Sequence, residues 1–418
     1  MPDLEALDGV AAASIEAVNG VAKANIEAIN GTSVPAAATG ASRFVVAAYP
    51  STIVHAPVSD LTSWSSYEAI PSTSRRPWDI GFGKDNSGNG IYIATFDNDD
   101  ELAISGTDVT ATDAWTDVDL SSDLSGDRDQ NIIMWGARAD GTAAGTWMSG
   151  GKQTGKRIHR SIDGGANWTN IDLSGISGHD TARNIVCMAS DGSGNWAFGQ
   201  ENRWYSSTND GASFSATTPI SSNAPGQTRG VVYTNNSWVW IYSRSSQLFA
   251  RSCAASDITD WGSEFTIQLT YNKDAADGTG TESDGTNTTL LPLNPDNTVE
   301  KRASTAAANG LVMLCTSNDD AVFFFNVSGK TLSNAGGVRF SSHSTYDGVS
   351  GFDASNTMQD IATDGTNWVI TCKNGDAFKS TSLGALGSWT QIANGFAGGV
   401  SAATDDWYGV TCDVVLPL

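Results

Sequence analysis

From Arg43 onward the chain alternates short apolar runs with turns rich in Gly, Asp and Asn. A representative stretch has apolar residues at 185–189, a turn at Asp191-Gly192, a second run at 196–199, a turn at Glu201-Asn202, a third run at 203–206, a longer turn, and a fourth run at 214–219. Runs this short, with β-branched and aromatic residues bounded by turn formers, predict strands. The same order returns over 361–389, where Asp364-Gly365-Thr366-Asn367-Trp368 copies the first turn. Each unit reads as a four-stranded antiparallel meander with period-2 alternation in its outer strands.

The aromatic residue that opens the fourth strand recurs steadily. Trp115, Trp168, Phe214 and Trp261 are separated by 53, 46 and 47 residues. Four-stranded units at that interval are the blades of a β-propeller. The expected fold is therefore all-β, with blades at 78–120, 128–173, 182–220, 227–269, 285–340 and 345–393. A seventh blade joins 400–415 to 44–70, so that both chain ends close the ring and no free edge is left. Two strands at the C-terminal end plus three at the N-terminal end are one too many, which keeps six blades as the alternative. The unit at 285–340 is the least regular, with an apparent insertion at 294–309.

Residues 1–36 follow a different rhythm. Leu4-Glu5-Ala6-Leu7-Asp8-Gly9, Ile15-Glu16-Ala17-Val18-Asn19-Gly20 and Ile26-Glu27-Ala28-Ile29-Asn30-Gly31 repeat at a step of eleven residues. Leu4, Leu7, Ile15, Val18, Ile26 and Ile29 form a stripe on a helix, and an eleven-residue period matches a right-handed supercoil. Gly in every unit costs about 1 kcal/mol relative to Ala in a helix interior, and Asp/Asn-Gly is a natural C-cap. The expectation is short helical turns separated by caps. The segment lacks aromatic residues and the bulk for a core of its own, so these six apolar residues are the expected anchoring positions, against another protein or against copies of the same chain. Residues 37–42 are the expected linker, and 43–418 the propeller. The repeat resembles the N-terminal segments of tailed-bacteriophage virion proteins, including tail and neck components.

Two octets punctuate the β region most clearly: Ser161-Ile162-Asp163-Gly164-Gly165-Ala166-Asn167-Trp168 and Ser207-Thr208-Asn209-Asp210-Gly211-Ala212-Ser213-Phe214. Asp163 and Asn209 can bond backbone N–H groups further on, the glycines can take positive φ, and Ser161 and Ser207 offer hydroxyls to the same turn. Trp168 and Phe214 then bring a ring to the next strand. With Gly165 and Gly211 in place, these octets resemble the Asp box (BNR repeat), S-x-D-x-G-x-x-W, of sialidase-like propellers, where the box is structural. Degraded copies keep the ring and lose the box at 57–64, 105–115, 252–261 and 380–389.

Charge narrows the partners. Asp and Glu number 46 against 23 Lys and Arg, a net charge of −23, which lacks the basic face that nucleic acid or an anionic membrane requires. No apolar run approaches membrane-spanning length, and the start has no basic stretch followed by an apolar core. Five cysteines, an odd number, sit in apolar runs such as 185–188. They read as buried free thiols of a protein folded in a reducing cytoplasm.

In a four-stranded meander, turns between strands one and two share a face with those between three and four. Blade-to-blade connections share the opposite face, where propellers usually bind ligands. Arginines precede successive first strands there: Arg75 and Arg76, Arg128, Arg183 and Arg229. A ring of guanidinium groups suits carboxylate or sulfate on a glycan, while Asp127-Arg128-Asp129 shows that such arginines can equally pair with neighbouring acids. Arg76, Arg128, Arg183, Arg229 and Glu201 form the candidate ligand-binding set.

The sialidase resemblance implies an arginine cluster, a Tyr–Glu nucleophile pair and an Asp acid/base. Tyr346 and Glu201 are the one pair to nominate, and the family's Arg-Ile-Pro signature is absent, Arg76-Pro77-Trp78 being the nearest string. His55, His159, His179 and His343 lack metal-ligand spacing, and the acidic loop with Asp274, Asp277, Glu282 and Asp284 departs from the EF-hand pattern. No catalytic residue, metal or cofactor is nominated. The expected protein is a non-enzymatic phage virion component, tail- or neck-attached and exposed on the particle. Its residues 1–36 bind other virion proteins, its propeller serves host-surface or glycan adhesion, and it is homo-oligomeric within the assembly. A sialidase-like glycoside hydrolase and a non-viral bacterial scaffold or adhesin are the alternatives.

Overall fold

A computed structural model of the chain describes six two-residue strands before residue 34. Beyond them it describes residues 42–48, 52–68, 77–96, 101–105, 109, 115–120, 129–152, 157–176, 185, 187–200, 203–217, 228–244, 247–267, 303–316, 321–340, 349–353, 358–373, 375–381, 388–393 and 407–413. The chain divides into two compact units, Met1–Ser42 and Arg43–Leu418.

In the first unit the expected helical turns are hairpins instead. Ala6–Leu7 pairs with Val10–Ala11, Ala17–Val18 with Val21–Ala22, and Ala28–Ile29 with Thr32–Ser33, each antiparallel. Two residues separate each innermost pair: Asp8-Gly9, Asn19-Gly20 and Asn30-Gly31. These dipeptides favour positive φ, which serves a helix C-cap and a two-residue hairpin loop equally well. Glycine every eleven residues leaves helical stretches shorter than the dozen or so residues an isolated helix needs, so the hairpin wins. Of the six expected anchoring residues, Leu7, Val18 and Ile29 lie in these strands; Leu4, Ile15 and Ile26 lie outside the described residues, as does the expected linker except for Ser42.

The second unit holds seven antiparallel sheets of four strands. Numbered around the ring, the inner strands of blades 1 to 7 are Trp407–Cys412, Pro77–Lys84, Asp129–Gly136, Met188–Ser190, Thr228–Thr234, Ala303–Ala308 and Met358–Thr363. Each touches the inner strands of both neighbouring blades, so the ring is closed and the six-bladed alternative is excluded. Blade 1 resolves the surplus strand: the C-terminal end supplies one strand, Trp407–Cys412, and the N-terminal end supplies Arg43–Ala48, Thr52–Pro57 and Ser65–Glu68. The other six blades are runs of four consecutive strands. The apparent insertion at 294–309 contains the inner strand of blade 6, Ala303–Ala308, whose small residues hide its strand character from the apolar pattern.

Why the runs look as they do follows from the packing. A blade is covered on both faces, so its middle strands are apolar on both, as in Trp196–Gln200 and Trp368–Cys372, where every residue is buried. Seven hydrophobic clusters lie among the described residues, one at each blade-to-blade seam. Examples are Val45, Ala47 and Ile53 against Tyr92, Ala94 and Phe96, and Trp204 against Trp238 and Trp240. The five cysteines are free and buried in this layer, and burial pushes the Cys187 and Cys253 thiols up to about 12, which keeps them protonated and unreactive.

Candidate functional site

An inner strand leaves one edge unpaired, and in a ring seven such edges face one axis. They enclose a central cavity of about 340 Å³. Its wall takes consecutive residues from each strand, among them 132–135, 231–233 and 410–412. Consecutive residues reach the wall together only if the backbone edge forms it, since side chains alternate between the two faces and enter the seams.

Five inner strands carry a bulge close to their start, at Trp78, Asn131, Arg229, Gln359 and Tyr408. The extra residue bends the strand and increases its twist where the chain enters the ring. Directly after two of these bulges stand the charged residues of the cavity wall, Asp79 and Asp360. Asp79 accepts from Ile80 N at 2.9 Å and, across the seam, from Ile133 N at 2.9 Å. Asp360 accepts from Ile361 N at 2.9 Å and from Val410 N at 2.7 Å, likewise one blade further on. Both carboxylates thus accept from backbone amides of their own inner strand and of the next blade's. At the same step in blade 1, Gly409 leaves space for blade 2: a Cβ there would lie 2.7 Å from Asp79 Cα. The sequence reading missed these aspartates, although an Asp-Ile pair inside an otherwise apolar strand was a visible signal.

The candidate ligand-binding set is placed only in part. Arg229 sits at the bulge of blade 5, half-buried, and its Nε donates to Ser243 Oγ at 3.1 Å within the same blade. Arg76, Arg128, Arg183, Glu201 and Tyr346 lie outside the described residues. A tyrosine–carboxylate pair does form elsewhere: Tyr242 donates to Glu264 Oε2 at 2.6 Å, with Arg251 beside it. Tyr242 is 0% exposed. Burial, then the bond to Glu264 and its charge, push the hydroxyl up, so this pair belongs to the blade's interior. Among the described residues no group of three or more His, Cys, Asp or Glu side chains is placed to hold a metal ion.

The two octets form the turns expected of them, between the third and fourth strands of blades 3 and 4. Ser161 Oγ lies at the centre of the first: it donates to Asp163 Oδ1 at 2.7 Å and accepts from Gly165 N at 2.9 Å. Asp163 then takes the N–H and side-chain amide of Asn167 at 2.9 and 2.6 Å. Ser207, Asn209, Gly211 and Ser213 repeat the pattern, with Gly211 N donating to Ser207 Oγ at 3.0 Å and Ser213 N to Asn209 Oδ1 at 3.1 Å. Trp168 Nε1 donates to Gly165 O at 2.8 Å, and Phe214 packs edge-on against Phe198. Ala139 N, in the first turn of blade 3, donates to Asp210 Oδ1 at 3.1 Å, and Asp210 N donates to Gly194 O of blade 4 at 2.8 Å. These turns therefore share one face with the turns between strands one and two.

No family model matches the chain, and no curated protein matches it. Solved structures do. A protein of unknown function from Desulfotomaculum acetoxidans aligns with a TM-score of 0.53 at 10% identity, covering 89% of this chain and 99% of that one. Apo AztD from Citrobacter koseri aligns at 0.50 and 9%, covering 89% and 97%. YCF48 bound to a D1 peptide reaches 0.49 at 10%, covering 82% and 89%. Likeness at such identities establishes the fold alone. The chain folds as a seven-bladed β-propeller.

Proposed function

We propose that this chain is a non-enzymatic structural protein of a tailed-phage virion, in which residues 1–36 attach to other virion proteins at the tail or neck and the propeller serves host-surface or glycan adhesion. The observation that carries this reading is the contrast between its two units. Arg43–Leu418 has a filled hydrophobic cluster at every seam. Met1–Ser42 shows three hairpins of two-residue strands, each a separate sheet, and a lone two-stranded hairpin is at best marginal in water. The first unit gains stability by docking, on another virion protein or on copies of itself.

The cavity supports a scaffold over a hydrolase. Asp79 and Asp360 both spend their carboxylates on backbone amides, whereas a glycosidase needs two carboxyl groups directed at a sugar. The Asp-box likeness of the octets fits the same reading, because their polar side chains close on the turn itself.

The test compares the full chain with a chain lacking residues 1–36. The full chain is expected to sediment as an oligomer or to co-purify with virion proteins, and the shortened chain as a monomer that does neither. A full chain that stays monomeric and binds no virion protein removes the anchoring role. Hydrolysis of a sialoside or polysaccharide by the purified full chain reverses the non-enzymatic reading.

A further inference from the structure

Blade 1 differs from the other six in how it is held. Its inner strand, Trp407–Cys412, meets Arg43–Ala48 only through non-covalent pairing, from Cys412↔Phe44 at one end to Trp407↔Ala48 at the other. Just past the first of these ends lies a cluster that draws on three parts of the chain. Asp413 N donates to Arg43 O at 3.1 Å. Arg43 N donates to Asp413 Oδ1 at 2.7 Å, and Tyr92 Oη of blade 2 donates to Asp413 Oδ2 at 3.1 Å. The Arg43 guanidinium, in turn, has Nη1 at 3.4 Å from His55 Nδ1 on the next strand of blade 1. Tyr92 is 1% exposed, so the contact is closed to water on one side, where a charge-assisted bond is strong.

We propose that the Asp413 cluster is a clasp that holds the ring shut, placed where a pull on the N-terminal unit first reaches the ring. Arg43 is the first residue of the ring after Met1–Ser42, so tension transmitted along the backbone arrives at a residue whose N–H and C=O both bond to Asp413. In an antiparallel pair loaded from one end, bonds break in sequence from that end. The Arg43–Asp413 contacts come first, then Phe44 with Cys412. On its far side Trp407–Cys412 stays tied to blade 7 through the bond from Val410 N to Asp360 Oδ2. The ring therefore yields between blade 1 and its closing strand while the other blades stay intact. Local opening of this kind is graded by the bonds at the opening edge. The clasp rests on the geometry of the ring and holds whatever the first unit binds.

The test uses the full chain with Asp413→Ala and, as a milder change, Tyr92→Phe. Hydrogen exchange followed by mass spectrometry is expected to show amides of 44–46 and 410–412 exchanging about tenfold faster in Asp413→Ala, and less so in Tyr92→Phe, while blades 3 to 5 keep their original rates. Pulling single molecules between residues 43 and 413 is expected to show the first rupture of the ring at lower force in both variants. Unchanged exchange at the seam in both variants, equal acceleration in all blades, or an unchanged first rupture force overturns the proposal. If Asp413→Ala does not fold, Tyr92→Phe decides alone, since it removes one hydroxyl and leaves the ring in place.

Discussion

In blades 1, 3 and 5 two kinds of corner join the third strand to the fourth, and they deliver the same tryptophan by different means. In blade 3 a serine hydroxyl sits inside the turn, and Gly164 and Gly165 take φ of 72° and 87°. In blades 1 and 5 the corner is Ser59-Asp60-Leu61-Thr62-Ser63-Trp64 and Ser256-Asp257-Ile258-Thr259-Asp260-Trp261. Neither stretch has a positive φ among its described residues. Asp60 accepts from Thr62 N at 3.0 Å and from the hydroxyls of Thr62 and Ser63 at 2.6 and 2.5 Å, and Leu61 is buried beneath it. Yet Trp64, Trp168 and Trp261 all donate Nε1–H to the carbonyl three residues back, at 2.8 Å each. In these three blades the indole is anchored in the same way, and the turn chemistry beneath it is interchangeable.

Four substitutions test that claim. Gly164→Ala should be the most damaging, because a Cβ at this positive φ would stand 2.6 Å from Asp85 Cα and Asn86 N, backbone atoms that cannot move aside. A loss of about 2–4 kcal/mol is expected in denaturant unfolding; a loss below about 1 kcal/mol shows that the octet does not depend on its glycines. Leu61→Ala attacks the other corner through its buried aliphatic group and should cost about 2–3 kcal/mol. Trp168→Phe and Trp64→Phe keep a ring and lose the indole bond, so both should cost about 1 kcal/mol, and a large difference between them breaks the equivalence.

The smallest effect is in pH dependence. Bonds from Ser63 and Thr62 hold the Asp60 carboxyl down to about 2, below its ordinary 3.8. Its folded value is depressed, so its contribution is present above pH 3.8 and fades as pH falls toward 2. Wild type should therefore lose more stability than Asp60→Asn over that window, measured as urea midpoints. Asp413 runs the other way: burial raises its carboxyl, so the folded state gains as pH falls through that raised value toward 3.8.

The ring was readable because its punctuation is local. Asp191 to Asn195 and Asp364 to Asn367 close by bonds within five residues, and local chemistry is visible in local sequence. The Ser-Asp-Leu/Ile-Thr corners are equally visible as a repeat, and their bonding makes them a turn of their own kind and not degraded copies of the octet. What escaped depends on partners far along the chain. Asp79 and Asp360 matter because of amides on the next blade, and Tyr242 meets Glu264 across two strands. Ala303–Ala308 lacks bulk of its own and becomes a strand because Leu311–Thr316 pairs with it. In residues 1–36, Asp-Gly and Asn-Gly serve two structures, and spacing alone did not choose between them.

The 3+1 composition of blade 1 has a consequence for biosynthesis. As the polypeptide leaves the ribosome, Arg43–Ala48 is among the first ring segments to emerge, and in the finished molecule Phe44, Val45, Val46, Ala47 and Ala48 are all 0% exposed. Their companion strand, Trp407–Cys412, follows 359 residues later (407 − 48). Blades 2 to 7 can form as each is made, while this greasy opening strand waits with a bare edge until all six have been translated, an interval in which a nascent chain is open to chaperone capture or to pairing with a neighbour on the same polysome.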